Sequence, residues 1–261
     1  MAGQVVWARR GPISELRFDN PAKMNAMSLA MWLDFADKVK ELQADPDARV
    51  LLVRGEGDKA FISGADIAEF DSTRSAETGS EAYDDAVNGA QDVLMACPFP
   101  VVAAIHGVCM GGGLGLAAAC DLRYGAASAK FRMPAARLGL GYGFRGIERM
   151  AHVIGPARTA ELFFTARTFD GNEAQRVGLL HAAFAADELD AKIEQMLEQI
   201  ASNAPLSVRL AKQALHLALH RAPDDAAAAV QVLRQACLAS ADYVEGRRAF
   251  AERRQPVFRG V

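Results

Sequence analysis

The chemistry in this chain begins where glycines interrupt an apolar stretch. Val101–Ile105 is continuously apolar, Gly111-Gly112-Gly113 follows, and Leu114–Cys120 is apolar again. A helix opening at such glycines after a buried strand presents N–H groups that have no intrahelical acceptor, at the positive end of its dipole. Glycine also lets a ligand approach that backbone closely. The segment Cys109–Gly113 is therefore a candidate anion or oxyanion cradle. The same glycines would serve equally to pack a helix tightly on a strand. Ser63-Gly64-Ala65-Asp66 closes an earlier apolar run and could supply a second N–H. Two converging amides are what an enolate or a tetrahedral oxyanion needs. No Gly-Lys-Ser/Thr follows the glycines and the GxGxxG spacing is missing, which excludes a Walker loop and a dinucleotide turn.

Other reactive side chains carry less. His106 and Cys109 are three apart with no third group in view, so a core histidine is the plainer reading. His216 and His220 stand i, i+4 on one helix, again without a third ligand, and no His/Cys set has zinc spacing, so no metal site is expected. Asp84-Asp85 and Asp224-Asp225 read as solvated charges. The four cysteines, Cys97, Cys109, Cys120 and Cys237, show no CxxC pairing and sit in apolar surroundings. They read as buried free thiols of a reducing compartment. The first residues lack the basic and apolar regions of a signal peptide, so the expected location is cytoplasmic. A net charge of −3 argues against nucleic-acid or anionic-membrane partners, which require a basic field.

These groups must be positioned by elements. The chain has 261 residues, 51% apolar and 23% charged, enough for one large α/β domain with a small appendage. Gln4–Ala8 and Ile13–Phe18 read as strands around a turn. Ser28 is a good N-cap for a helix carrying Leu29, Trp32, Phe35, Ala36, Val39 and Leu42 at helical spacing. Val50–Val53 reads as a strand covered on both faces. Strand, Gly-bearing turn and helix thus occur twice, at 50–70 and 101–120, the mark of a layered α/β core. Residues 71–88, rich in Ser, Thr, Asp, Glu and Gly, read as a mobile surface segment, with Gln91–Ala96 closing a helix. Val101–Cys120 is as long as a membrane span, but it holds five glycines and His106, which excludes one. Leu206–His220, Ala226–Leu238 and Asp242–Arg254 predict a helical C-terminal region.

Taken together, several motifs in order resemble the crotonase (enoyl-CoA hydratase/isomerase) superfamily. They are Asn20-Pro21-Ala22-Lys23-Met24-Asn25-Ala26, Phe61–Ile67, Pro100–Gly107 with Gly111–Gly113, Ala119–Leu122, Phe131–Pro134, Thr165–Arg167 with Glu173-Ala174, Val177–Leu179 and Glu245–Phe250. The resemblance runs from about residue 10 to the end. It implies an α/β fold, a spiral of ββα repeats over residues 1–195 with a helical region at 196–261 that serves trimerisation, and trimers or dimers of trimers. It implies that the amides of Ala65 and Gly112 hold the carbonyl of an acyl-CoA thioester. Coenzyme A, as part of the substrate and not as a separate cofactor, would lie along Ala22, Lys23, Ala26, Ser63, Asp66 and Ile67. The acyl end would meet Met110, Gly111, Pro134, Ala135 and Leu140. Arg253 matches a basic position that can reach a coenzyme A phosphate, or it is a solvated helix end.

The departures from the pattern carry equal weight. A hydratase of this family uses two glutamates, one three residues after Gly112 and one after the proline of Phe131–Pro134. Here those positions are Gly115 and Ala135, and neither can carry a proton. Hydration is therefore not expected, and chemistry that generates an enolate without a base, such as decarboxylation, fits better; a non-catalytic acyl-CoA-binding subunit and a nominal fatty-acid hydratase are the alternatives. In Leu138–Glu148, Tyr142 stands where decarboxylase-like relatives carry a tyrosine, and could donate a hydrogen bond or proton, or simply pack on the pocket wall. Arg145 could pair with a carboxylate, or cap a helix or meet a neighbouring subunit. Glu148 could be a displaced base, or an ordinary acidic residue of a first helical turn.

Overall fold

The computed structural model describes residues 3–66, 77–219 and 225–261. Strands β1 (Gln4–Arg10) and β2 (Ile13–Asp19) form an antiparallel hairpin across the expected turn. Strand β2 then pairs in parallel with β3 (Val50–Gly55), and β5 (Val101–Ile105), β7 (Leu122–Ala126) and β10 (Ala182–Phe184) complete a six-stranded sheet ordered β1-β2-β3-β5-β7-β10. The unbroken apolar run Val50–Val53 follows from its central place, since a parallel strand covered on both faces has no solvent side to alternate toward. A second sheet takes one short strand after each of these: β4 (Ala60–Ile62), β6 (Val108–Met110) and β8 (Lys130–Arg132) pair in parallel, and β9 (Phe169–Asp170) closes the edge antiparallel. The first hairpin keeps both strands in one sheet, and from β3 to β8 each turn of chain lays one strand in each sheet, the ββα spiral that the resemblance implies.

Helix α1 (Leu29–Gln43) starts at Ser28, whose hydroxyl accepts from the Met31 N–H at 3.1 Å. Its apolar face buries Trp32 and Phe35, and Phe35 and Phe61 both pack on Phe18, with ring centroids at 5.3 and 5.7 Å. Helix α2 (Glu77–Met95) corrects one expectation: residues 77–88, expected as a mobile surface segment, are helical. Tyr83, Ala86, Ala90 and Leu94 recur at helical spacing and are buried, which anchors the segment on the core. Helix α3 (Gly112–Ala119) follows the glycine-rich turn, and α4 (Phe144–Thr165) bends at Gly155-Pro156. Short α5 (Gly171–Arg176) begins at Asp170, whose carboxylate accepts from the Glu173 N–H. Helix α6 (Leu189–Ser202) buries Leu189, Ile193, Leu197 and Ala201. The expected boundary at residue 195 falls inside it, and the helices that follow are α7 (Pro205–Leu219), α8 (Asp225–Ala239) and α9 (Ala241–Glu252).

Candidate active site

The glycine-rich turn is built by packing as much as by ligand access. Gly111 sits at φ 52°, ψ −118°, a conformation that costs glycine little and other residues much. Its N–H donates to the Arg132 carbonyl at 3.1 Å, tying the turn to β8. A Cβ at Gly113 would lie 2.6 Å from the Ile62 Cβ, so α3 rests directly on β4. The packing role read from the sequence is therefore present at Gly113, and its neighbour Gly112 stands at the cavity. Gly113 provides the close packing, while Gly112, the first helical residue, has no intrahelical acceptor for its N–H and borders a cavity of about 460 Å³.

Ala65 borders the same cavity. Its neighbours are fixed by Met27, whose N–H donates to the Gly64 carbonyl at 2.9 Å and whose carbonyl accepts from the Asp66 N–H at 3.0 Å. This pairing leaves the Ala65 N–H out. Two side chains connect the two amides. Tyr83 on α2 donates its hydroxyl to the Met27 carbonyl at 3.3 Å and accepts from Trp32 Nε1 at 2.9 Å, and the Trp32 ring lies 3.2 Å from where a Gly112 Cβ would stand.

The acyl side of the cavity is lined by Pro134, Ala135, Leu138, Leu140 and Tyr142, with Gln91 of α2 facing them. A Cβ on Gly115 would lie 2.8 Å from the Tyr142 hydroxyl and 2.9 Å from Gln91 Nε2. The space beyond Gly115 is thus already filled by a phenol and an amide. Tyr142 is held edge-on against Phe163 at 5.1 Å, and Gly146 leaves room for its ring. Burial pushes its phenol up to about 12, with Asp84 adding to the shift and the Arg149 charge opposing it, so near neutral pH the group is a donor and not a base. Gln91 is 1% exposed. Its Oε1 accepts from Arg149 Nη1, while Nε2 is buried without a partner, an arrangement that ordinarily costs about 1–3 kcal/mol. Asp84, exposed to solvent, is the one carboxylate among the described residues lining the cavity.

Other sequence candidates lie elsewhere. Glu148 does not line this cavity; it is exposed on α4 and faces a separate hollow beside Arg145, His152 and His216. Arg145 is paired with Asp92 at 2.6 Å on the surface. Lys23 Nζ contacts Asp66 Oδ2 at 2.5 Å, and the Ser63 hydroxyl donates to the Lys23 carbonyl, which places these three together at the rim with exposed Ala22. Ala26 is buried beneath, Met110 is half-buried outside the cavity lining, and Ile67 lies outside the described residues. Asn25 fastens this loop, donating to the Ala60 carbonyl at 2.7 Å. His106 is a buried histidine bonded to Asp190 at 3.0 Å, and buried Cys109 has its thiol pushed far up by burial. Arg253 caps α9 in a left-handed conformation, φ 52°. Among the described residues no group of three or more potential ligands could hold a metal ion, and no helix is long and apolar enough to cross a membrane.

The residues that sequence reasoning missed are Gln91, Tyr83 and Asp84, all on α2, and the supporting role of Trp32. The one signal was the helical spacing of Tyr83, Ala86, Ala90 and Leu94, which an acidic and glycine-bearing composition obscured.

The profile of a family described as enoyl-CoA hydratase/isomerase matches residues 9–261. The chain belongs to the enoyl-CoA hydratase/isomerase family, a family of enzymes. It is 32% identical to the crotonyl-CoA hydratase of Syntrophomonas wolfei, with 97% of each chain covered. It is 34% identical to human enoyl-CoA hydratase domain-containing protein 2, mitochondrial, over 98% of this chain and 89% of that one. Among solved structures, an enoyl-CoA hydratase/carnithine racemase from Magnetospirillum magneticum superposes with a TM-score of 0.93 at 35% identity, covering 98% of this chain and 96% of the other. The crotonase-like spiral is thus the fold of this family member, helical C-terminal part included.

Proposed function

We propose that this family member holds the carbonyl of an acyl-CoA thioester between the N–H groups of Ala65 and Gly112, and forms its enolate without the glutamate pair of a hydratase. One observation carries the reading: the space beyond Gly115 contains the Tyr142 hydroxyl and the Gln91 amide, and buried Ala135 stands at the second glutamate position. Donors surround the reacting carbons, and no buried carboxylate does. Two preorganised amides stabilise negative charge arriving on the thioester oxygen. Decarboxylation delivers that charge directly: the bond from the α-carbon to a substrate carboxylate breaks, carbon dioxide leaves, and the electron pair passes into the held enolate. The Tyr142 phenol then gives its proton to the α-carbon and recovers one from water. Coenzyme A runs along Ala22, Lys23 and Ala26 and past Ser63 and Asp66, without any separate cofactor.

The test compares two substrates. Losing both acid–base groups removes about 10²–10⁴-fold per group, so crotonyl-CoA is expected to be hydrated at far below one turnover per second, while carbon dioxide is released from malonyl-CoA or an α-substituted analogue. Hydration of crotonyl-CoA at about 1–10³ per second overturns the proposal. We also place the protein in the cytoplasm, a reducing compartment: burial raises the Cys97 thiol to about 11 and that of Cys120 to about 12, as suits thiols kept free.

A further inference from the structure

Among the described residues, Gln91 is the one side chain lining the cavity that has a buried polar atom without a partner. An arginine can only donate, so the Gln91 atom facing Arg149 must be Oε1, and Nε2 is thereby turned toward Gly115, at the wall of the cavity that Gln91 lines. There it is buried and has no acceptor. A Cβ on Gly115 would lie 2.9 Å from Gln91 Nε2 and 2.8 Å from the Tyr142 hydroxyl, so the two groups flank that glycine from the same side of the cavity. Tyr142 keeps its proton at neutral pH, so both groups can donate. Behind them stands Arg149, 8% exposed, held by Gln91 and by Asp92 at 3.4 Å. A buried pair of donors backed by a cation is complementary to an anionic oxygen.

We infer that Gln91, oriented by Arg149, acts with Tyr142 as a specificity pair that recognises a carboxylate on the acyl group of the substrate. The inference rests on the thioester-site reading above and adds to it the residues that recognise the carboxylate of its substrate, a half-thioester of a dicarboxylic acid. Gln91 is a binding residue and Arg149 a positioning residue: the arginine acts by fixing which end of the amide faces the substrate.

Rapid-mixing binding measurements with malonyl-CoA and acetyl-CoA, read before turnover, test this. Wild type is expected to bind malonyl-CoA about tenfold or more tightly than acetyl-CoA, the size of a charge-assisted hydrogen bond. Gln91→Glu keeps an acceptor for Arg149 but turns the free donor into an acceptor, so it should abolish or invert that ratio. Tyr142→Phe, which removes the second donor and leaves the Arg149 contact alone, should shrink the ratio several-fold. Equal affinities in wild type, or a ratio untouched by Gln91→Glu, overturn the inference. Carbon dioxide release without a Gln91-dependent preference refutes the recognition role and leaves the reaction standing. A Gln91-dependent preference without carbon dioxide release supports the recognition role and refutes the reaction.

Discussion

At the scale of single residues, the site is governed by what stands around Gly115. Placing a side chain there drives it into the Tyr142 hydroxyl and the Gln91 amide, both within 3 Å of the first added carbon. Gly115→Glu is therefore expected to cost about 1–3 kcal/mol through overpacking, measured by urea unfolding, and Gly115→Glu combined with Tyr142→Ala should recover part of the loss. A loss equal in both backgrounds would show that Tyr142 does not fill that space. The Tyr142 phenol gives a pH signature. Its folded value of about 12 exceeds the unfolded value of about 10, so the protonated phenol stabilises the fold fully below pH 10 and loses that contribution between about pH 10 and 12. Wild type should thus lose on the order of 1 kcal/mol more than Tyr142→Phe between pH 9.5 and 11, a difference readable from denaturant midpoints. The glycine-rich turn between a buried strand and a helix was legible in the sequence because three glycines in a row interrupt an otherwise apolar run. Gln91 was not, since a lone glutamine signals nothing until its partner across 58 positions, Arg149, is seen.

At the scale of elements, helix α2 does more than its composition suggests. Through Tyr83 it supports the Met27–Ala65 pairing and the Trp32 ring under Gly112. Tyr83→Phe leaves Trp32 Nε1 without its acceptor, at a cost of about 1–3 kcal/mol in stability. It should also lower kcat more than it raises KM, because amides that drift lose stabilisation that appears only as charge develops. An unchanged kcat would show that the cradle does not depend on α2. The strands and α1 were readable because period and capping agreed: Val50–Val53 is apolar throughout, and Ser28 caps as its type predicts. Helix α2 escaped because its solvent face is crowded with acidic and small residues, which local composition cannot tell from a loop. The short strands of the second sheet, two or three residues each, are set by pairing across the spiral, which only the assembled chain defines.

At the scale of the whole molecule, large apolar side chains remain exposed far from the cavity. Phe164 on α4 is 81% exposed and Phe250 on α9 is 87% exposed, apolar area that an assembly would cover. We expect the protein to assemble as a homotrimer or dimer of trimers, with light scattering giving three or six times the 27.9 kDa chain mass. Phe250→Asp should shift the mass toward one chain; a single-chain mass for wild type refutes the assembly. The order of the motifs made the spiral readable along the sequence, while the division at residue 195 was not, because α6 buries its stripe, Leu189 to Ala201, across that point. The occupied space beyond Gly115 also bears on the history of the chain. One nucleotide change can turn a glycine codon into a glutamate codon, yet that step costs stability here until the phenol or the amide has moved away. An ancestor that lost its glutamate and then let Tyr142 and Gln91 settle into the vacated space would have passed a ratchet, so descendants should drift among donor-lined pockets sooner than revert to water addition.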